Sequence, residues 1–69
     1  MSIRDLREHL GVRQIHLAPL LGMTQSELSK FERREDHRMS TLRRVVEALG
    51  GELQIIVQVG DESIKLTGV

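Results

Sequence analysis

The sequence predicts a mainly α-helical domain with a small C-terminal β element, in which four short helices precede a β-hairpin. Apolar residues recur at helical spacing in four segments before residue 50, and the pattern then changes to alternation between Leu53 and Val59. Glycines follow three of the helical segments, and hydroxyl residues precede three of them. Because 69 residues make one domain, we expect residues 1–50, a helical bundle, and residues 51–69, a strand or hairpin, to form a single folded unit.

The first two helices are predicted on either side of Gly11. Ser2 can cap the first, whose apolar face is formed by Ile3, Leu6 and Leu10. The second runs from about Gln14 to Gly22 and contains Pro19. Proline has no N–H to donate to the carbonyl four residues earlier, so we expect a kink or a tightened turn there.

The third helix has a strong start signal. Thr24 is suited to cap it, and Glu27 stands at the third helical position, where a capping box places an acidic residue. Leu28 and Phe31 are spaced to point inward on one face.

The fourth helix is predicted after a charged loop over residues 34–39. Ser40 is suited to cap it, and Gly50-Gly51 ends it. Arg43 and Arg44 are interpreted as part of a solvated face. Its apolar stripe consists of Leu42, Val45, Val46 and Leu49.

The last part of the chain predicts a hairpin. A half-buried strand runs from Leu53 to Val59, and Gly60-Asp61 resembles a two-residue hairpin turn. Ile64 and Leu66 then alternate with polar residues on a second, weaker strand.

Charge and composition narrow the possible functions. The formal net charge is zero, but residues 1–50 hold nine Arg/Lys against seven Asp/Glu, which places the positive potential on the helical part. The chain has no Cys to form disulfides, so we expect a domain this small to be stabilised by oligomerisation. A single aromatic residue, Phe31, argues against stacking of single-stranded bases.

The exposed face of the third helix is suited to a DNA major groove. A glutamine can bond bidentately to adenine, a serine to either base type, and a lysine to guanine acceptors. The alternative is the ordinary polar surface of a helical hairpin, since polar outer faces are the rule. The predicted face, opposite the inward residues, consists of Gln25, Ser26, Ser29, Lys30 and Arg33.

Further DNA contacts are predicted around this helix. Gln14 and Thr24 stand at helix starts, where side chains and backbone N–H groups meet phosphates. Arg34 and Arg38, together with Arg33, are placed to reach the flanking DNA backbone. Arg38 could equally pair with an adjacent loop carboxylate.

The run from Gln14 to Glu32 resembles the phage-repressor-like helix-turn-helix family, also called the Cro/C1 or xenobiotic-response-element type. This resemblance implies that Ala18 and Gly22 let two helices approach closely, and that positions 14, 25, 26, 29 and 30 contact double-stranded DNA. Pro19 departs from the polar residue usual in the family. The matching residues are Gln14-x-x-x-Ala18-x-x-Leu21-Gly22-Met23-Thr24-Gln25-Ser26-x-Leu28-Ser29-x-Phe31-Glu32.

The segment from Ser40 to Val59 is similar to the HigA-type and HipB-type antitoxins of bacterial toxin–antitoxin modules. This resemblance implies a transcriptional repressor that autoregulates its operon and has a cognate toxin as a partner. One alternative is a protein inhibitor that neutralises the toxin through a folded surface. Another is a stand-alone regulator without a toxin.

A homodimer is expected from the hairpin itself. An isolated two-stranded hairpin is marginal in water, and an apolar edge invites pairing with another chain. Two copies would hold their recognition helices about 34 Å apart, which matches a palindromic operator. The alternative is that the hairpin folds onto its own helices. The predicted dimer contacts are Leu53, Ile55, Val57 and Val59.

Catalysis and metal binding are not predicted. His9, His16 and His37 are scattered and have no Cys partners, and the chain carries no phosphate loop or catalytic motif. We therefore expect neither an enzyme nor a cofactor. Without a long apolar run or a signal peptide, we expect a bacterial cytoplasmic protein that is associated with the nucleoid when bound to DNA.

Overall fold

Four helices and a two-stranded antiparallel hairpin make up the fold, as the sequence predicts. The computed structural model describes residues 1–68. No helix in this range is long and apolar enough to pass through a lipid bilayer. The helices span Ile3–His9 (α1), Gln14–Leu20 (α2), Gln25–Arg33 (α3) and Met39–Ala48 (α4), and the strands span Ile55–Val59 (β1) and Glu62–Leu66 (β2).

The turn between α2 and α3 is made by Gly22. Its φ is 68°, a left-handed conformation in which a residue with a Cβ atom is strained. The Gly22 N–H donates to the Pro19 carbonyl at 3.1 Å, and the Met23 N–H donates to the Ala18 carbonyl at 2.9 Å. Pro19 lies in the last turn of α2, and the Leu21 N–H donates to Ala18, only three residues back, at 3.0 Å. The predicted tightened turn is therefore confirmed.

Two predicted helix starts are also confirmed. The Thr24 hydroxyl accepts a hydrogen bond from the Glu27 N–H at 3.1 Å, and the Glu27 carboxylate accepts one from the Thr24 N–H at 3.0 Å. This backbone N–H lowers the pKa of Glu27 below its ordinary value. Ser2 and Asp5 form the same reciprocal pair at the start of α1.

The predicted cap of the fourth helix is wrong. Helix α4 begins at Met39, two residues earlier than a Ser40 cap allows, and Arg38 is the extended residue before it, without a side-chain capping bond. The Leu42 N–H donates to the Arg38 carbonyl at 2.9 Å, and Val45 is fully buried. Helix α4 therefore begins without a side-chain cap.

The core joins α2, α3 and α4. Ala18 leaves space for close approach of α3, and Arg44 is exposed, as predicted for a solvated face. Its Nη2 donates to the Leu21 carbonyl at 3.1 Å and ties α4 to the end of α2. The buried apolar residues are Leu17, Ala18, Leu21, Leu28, Phe31 and Val45.

The hairpin strands pair with each other, with Ile55 opposite Leu66, Val57 opposite Ile64, and Val59 opposite Glu62. Residues two apart on a strand share a face, so five apolar side chains lie together. The apolar residues of this hairpin face are Ile55, Val57, Val59, Ile64 and Leu66, and Glu62 lies on the same face opposite Val59. Only Ile55 is even half-buried, so within residues 1–68 the helices do not cover this face.

Leu53 does not belong to the strand, contrary to the prediction. Strand β1 begins at Ile55, and Leu53 is half-buried in the segment that precedes it. There it lines a shallow apolar groove with Leu6, Leu10 and Leu49. Leu53 therefore lies beside the helical bundle and not in the hairpin.

Candidate nucleic-acid interface

Helix α3 presents the predicted polar face to solvent. Gln25, Ser26, Lys30 and Arg33 are exposed, and Ser29 is half-buried. The orientation follows from the opposite side of the helix, where Leu28 and Phe31 are buried in the core. The nine-residue helix thus offers amide, hydroxyl and cationic groups along one side.

An ion pair beneath this face joins α1 to α3. Arg7 Nε donates to Glu32 Oε2 at 2.6 Å, and Arg7 Nη2 donates to Glu32 Oε1 at 3.1 Å. The two side chains are only 8% and 2% exposed. Arg7 Nη1 donates in addition to the Val12 carbonyl at 2.8 Å. The ion pair therefore fixes α1, the loop after it and α3 relative to one another.

Sequence reasoning missed this ion pair although a signal was present. Glu32 follows Leu28 by four residues, so it shares the inward face of α3. Arg7 follows Ile3 by four residues on α1 and lies on its apolar face. A charged residue at an inward position of each of two helices is the pattern expected of a buried pair.

Gln14 connects the buried pair to the exposed face. Its Nε2 donates to Glu32 Oε1 at 2.9 Å, and its Oε1 accepts from Gln25 Nε2 at 3.4 Å. Burial acts to raise the pKa of Glu32, but the hydrogen bonds from Arg7 and Gln14 and the charge of Arg7 outweigh it and lower that pKa. Glu32 is therefore held as a carboxylate.

A notch with a basic rim adjoins the α3 face. It is lined by Gln14, Gln25 and Ser29 and flanked by Arg4, Arg13 and Arg33. Arg4 and Arg13 were not among the predicted contacts, because each precedes the helix-turn-helix segment of the sequence. Their guanidinium groups add positive charge beside the face.

The other predicted residues lie around this face. Thr24 is exposed, and its hydroxyl oxygen caps α3, which leaves the hydroxyl proton available to an acceptor. Arg34 and Arg38 line a separate depression with Phe31 and His37, so the structure does not bring them into the notch. Over residues 1–68, no ion pair joins Arg38 to a loop carboxylate. The same residues hold no cluster of three potential metal ligands.

Known proteins resemble this chain in both sequence and structure. The sequence model of the Helix-turn-helix family matches residues 3–56. HigA2 of Mycobacterium tuberculosis, described as a candidate antitoxin, is 39% identical over 66 residues, which cover 93% of this chain and 65% of that protein. HigA3 of the same organism, described likewise, is 37% identical over 68 residues, which cover 94% and 62%. The chain thus spans just under two thirds of these relatives' lengths.

Solved structures extend the likeness to the whole fold. The structure of a DNA-bound antitoxin HigA3 superposes with a TM-score of 0.86 at 33% identity, over 100% of this chain and 92% of that chain. A HigA antitoxin structure, described as inducing DNA bending by a unique dimerization, superposes with a TM-score of 0.89 at 34% identity. That match covers 97% of this chain and 92% of the other.

Proposed function

The chain belongs to the helix-turn-helix family, and we propose that it is a sequence-specific DNA-binding repressor of the antitoxin type that acts as a homodimer. The observation that carries this proposal is the exposed face of α3, where Gln25, Ser26 and Lys30 stand clear of the core beside a basic rim. The relatives described as antitoxins, one of them DNA-bound, support it.

In the proposed complex, α3 enters the major groove and α2 crosses the DNA backbone. Gln25, the first residue of α3, lies where the helix meets the base edges, and Ser26, Ser29 and Lys30 extend the contact. Arg33 and the two unpredicted rim arginines, Arg4 and Arg13, bind phosphates. Phosphate contacts fix the position of the helix, while the base contacts select the sequence.

Dimerisation is proposed to occur through residues 51–69, with the hairpin face as its apolar contact. Strand β1, Ile55–Val59, has no charged residue, whereas β2 carries Glu62 and Lys65. Charged side chains protect a strand edge from pairing, so β1 is the edge suited to a second copy. Two α3 helices would then bind a palindromic operator.

Gln25→Ala is expected to weaken binding to the preferred operator by about 5- to 100-fold, since one bidentate base contact is lost. The base preference at the position that Gln25 contacts should also flatten. Duplexes selected from a random pool, followed by fluorescence anisotropy on single-base variants, measure both effects. Gln54→Ala, an exposed glutamine outside α3, is the matched control.

Two outcomes would contradict the assignment of α3 to the major groove. The first is that Gln25→Ala keeps both the affinity and the base preference of the unaltered chain. The second is that the unaltered chain enriches no motif from the random pool at low ionic strength, which would contradict the proposed function as a whole.

Arg33→Ala is expected to lower affinity by the same factor on every duplex, because a phosphate contact carries no base information. The slope of log affinity against log salt concentration should fall in magnitude by about one unit per binding site. Titrations at several salt concentrations measure this slope. Lys65→Ala, which removes a cation from the hairpin, should leave it unchanged, and an equal change in both variants would contradict the contact.

Inhibition of a toxin is a second candidate function, favoured by the description of the relatives as antitoxins. In this case a folded surface of the chain binds a toxin enzyme encoded next to it. Co-purification of the neighbouring gene product with the tagged chain, in the native host, tests this function. A chain that purifies without that product would be a stand-alone regulator.

A further inference from the structure

We propose that Leu53 is a positioning residue that determines which spacing of the two operator half-sites the dimer accepts. It anchors the hairpin to the helical bundle, so that two copies hold their α3 helices at one separation. This inference rests on the proposed function, because half-site spacing matters only to a chain that binds DNA as a dimer. The observation that carries it is the course of the chain between α4 and β1.

The first step concerns the point where the chain leaves the bundle. The Gly50 N–H donates to the Glu47 carbonyl at 2.9 Å. The Gly51 N–H donates to the Val46 carbonyl, also at 2.9 Å. Gly51 passes so close to α4 that a Cβ atom on it would lie 3.2 Å from Val46 Cγ1. The backbone as far as Gly51 is therefore held by α4.

A connector of three residues, Glu52, Leu53 and Gln54, joins this fixed point to Ile55, where β1 begins. Over residues 1–68, no hydrogen bond or ion pair joins the connector or the hairpin to the four helices. Glu52 and Gln54 are exposed, whereas Leu53 is half-buried. Leu53 is thus the connector residue placed to hold the hairpin in one orientation relative to the bundle.

Leu53 lies in the wall of an apolar groove between α1 and α4. The other apolar residues of this groove are Leu6, Leu10, Val46 and Leu49. Contact among these side chains removes apolar surface from water, which favours the position of the connector beside the bundle. A small residue in place of Leu53 would lose most of this contact and leave the connector free to turn.

A small rotation at the connector changes the separation of the two α3 helices in the dimer. The chain measures 41 Å along its longest axis. A point about half this length from the connector moves by about 3.5 Å when the connector turns by about 10°, and successive base pairs are about 3.4 Å apart. An anchored connector therefore fits one half-site spacing, whereas a free connector also fits spacings one base pair longer or shorter.

Leu53→Ala tests the anchor, because it shortens the side chain and leaves the strand pairs of the hairpin in place. The unaltered dimer should bind its best operator more tightly than operators with one base pair added or deleted between the half-sites. In Leu53→Ala this ratio of affinities should fall by about 3- to 12-fold, the range expected for half of the burial free energy of a leucine. Fluorescence anisotropy on the three duplexes measures the ratio.

Two further variants accompany this test. Leu10→Ala removes another side chain of the groove and should also lower the ratio, without a change in the connector itself. Leu20→Ala is the same substitution at a leucine of α2 that is 66% exposed and lies outside the groove, and it should keep the full ratio. An unchanged ratio in both Leu53→Ala and Leu10→Ala would overturn the anchor.

Backbone ¹⁵N relaxation of the free dimer provides a readout that does not need DNA. In the unaltered dimer, the helices and the hairpin should share one rotational correlation time, because the anchor joins them. In Leu53→Ala the two values should separate, while light scattering still gives the mass of a dimer. The helical signal at 222 nm shows that the bundle remains folded. A common correlation time in Leu53→Ala would contradict the anchor.

The outcomes separate this inference from the proposed function. If the unaltered chain binds a palindromic operator but binds all three spacings equally, the anchor is overturned and the DNA-binding function stands. The anchor is likewise overturned if Leu53→Ala lowers the affinity equally at every spacing and reduces the mass of the dimer, since Leu53 is then a dimer contact. If the unaltered chain is a monomer or enriches no motif, both are overturned.

Discussion

Glu32→Ala is expected to destabilise the fold by about 3–5 kcal/mol, because it leaves the buried Arg7 guanidinium without its carboxylate. Both side chains are almost fully buried, and two hydrogen bonds join them. A chain of this length has a total stability of roughly 3–10 kcal/mol, so the variant should be largely unfolded or close to it. Urea denaturation followed by circular dichroism at 222 nm measures the difference.

Two further variants show that burial of the pair causes the loss. Glu8→Ala removes a glutamate from the exposed pair with Arg4, and it should unfold at nearly the same urea concentration as the unaltered chain. Arg7→Met combined with Glu32→Leu removes both charges and should recover much of the stability lost in Glu32→Ala. Equal midpoints for Glu8→Ala and Glu32→Ala would contradict the importance of the buried pair.

The contribution of Glu32 should also depend on pH. Its folded-state pKa is lowered from the ordinary value of 4.5, so the unfolded chain takes up this proton at a higher pH than the folded chain does. The stabilisation is therefore complete above the unfolded-state pKa and is lost as the pH falls through the lower, folded-state pKa. The difference in stability between the unaltered chain and Glu32→Ala should shrink over this acidic range and stay constant near neutrality.

Local signals in the sequence predicted most of the fold. The end of α2 depends on the backbone conformation of Gly22 alone, so the glycine itself predicts it. The start of α3 depends on the capping bonds between Thr24 and Glu27, which are three residues apart. The paired strands around Gly60-Asp61 follow from the same short-range chemistry. A short stretch of sequence predicts such contacts, because it contains both partners of each contact.

The side-chain contacts that the sequence did not predict join distant residues. Arg7 and Glu32 are 25 positions apart, and Arg44 and Leu21 are 23 apart, so no short window contains both partners. Leu53 continues the alternation of the strand in the sequence, but β1 begins at Ile55 and Leu53 lines a groove beside the helical bundle. The face of α3 was predicted correctly as exposed, whereas its contacts with DNA remain a prediction.

Val57→Lys is expected to convert the proposed dimer into a monomer. Val57 is the central residue of β1, it pairs with Ile64, and 37% of its surface is exposed on the hairpin face. A lysine here would bring two ammonium groups close to the two-fold axis of paired β1 strands, in apolar surroundings where charge is costly. Size-exclusion chromatography with light scattering measures the mass in solution.

The loss of the dimer should weaken binding to a palindromic operator by about 100-fold or more, because two linked half-site contacts become independent. Binding to a single half-site should change little, since α3 lies elsewhere in the chain. Gln58→Lys introduces the same charge on the opposite face of β1 and should stay dimeric. An unchanged helical signal at 222 nm shows that the bundle remains folded in both variants. A dimeric Val57→Lys variant, or a monomeric one with full operator affinity, would exclude the hairpin face as the contact that joins the two half-sites.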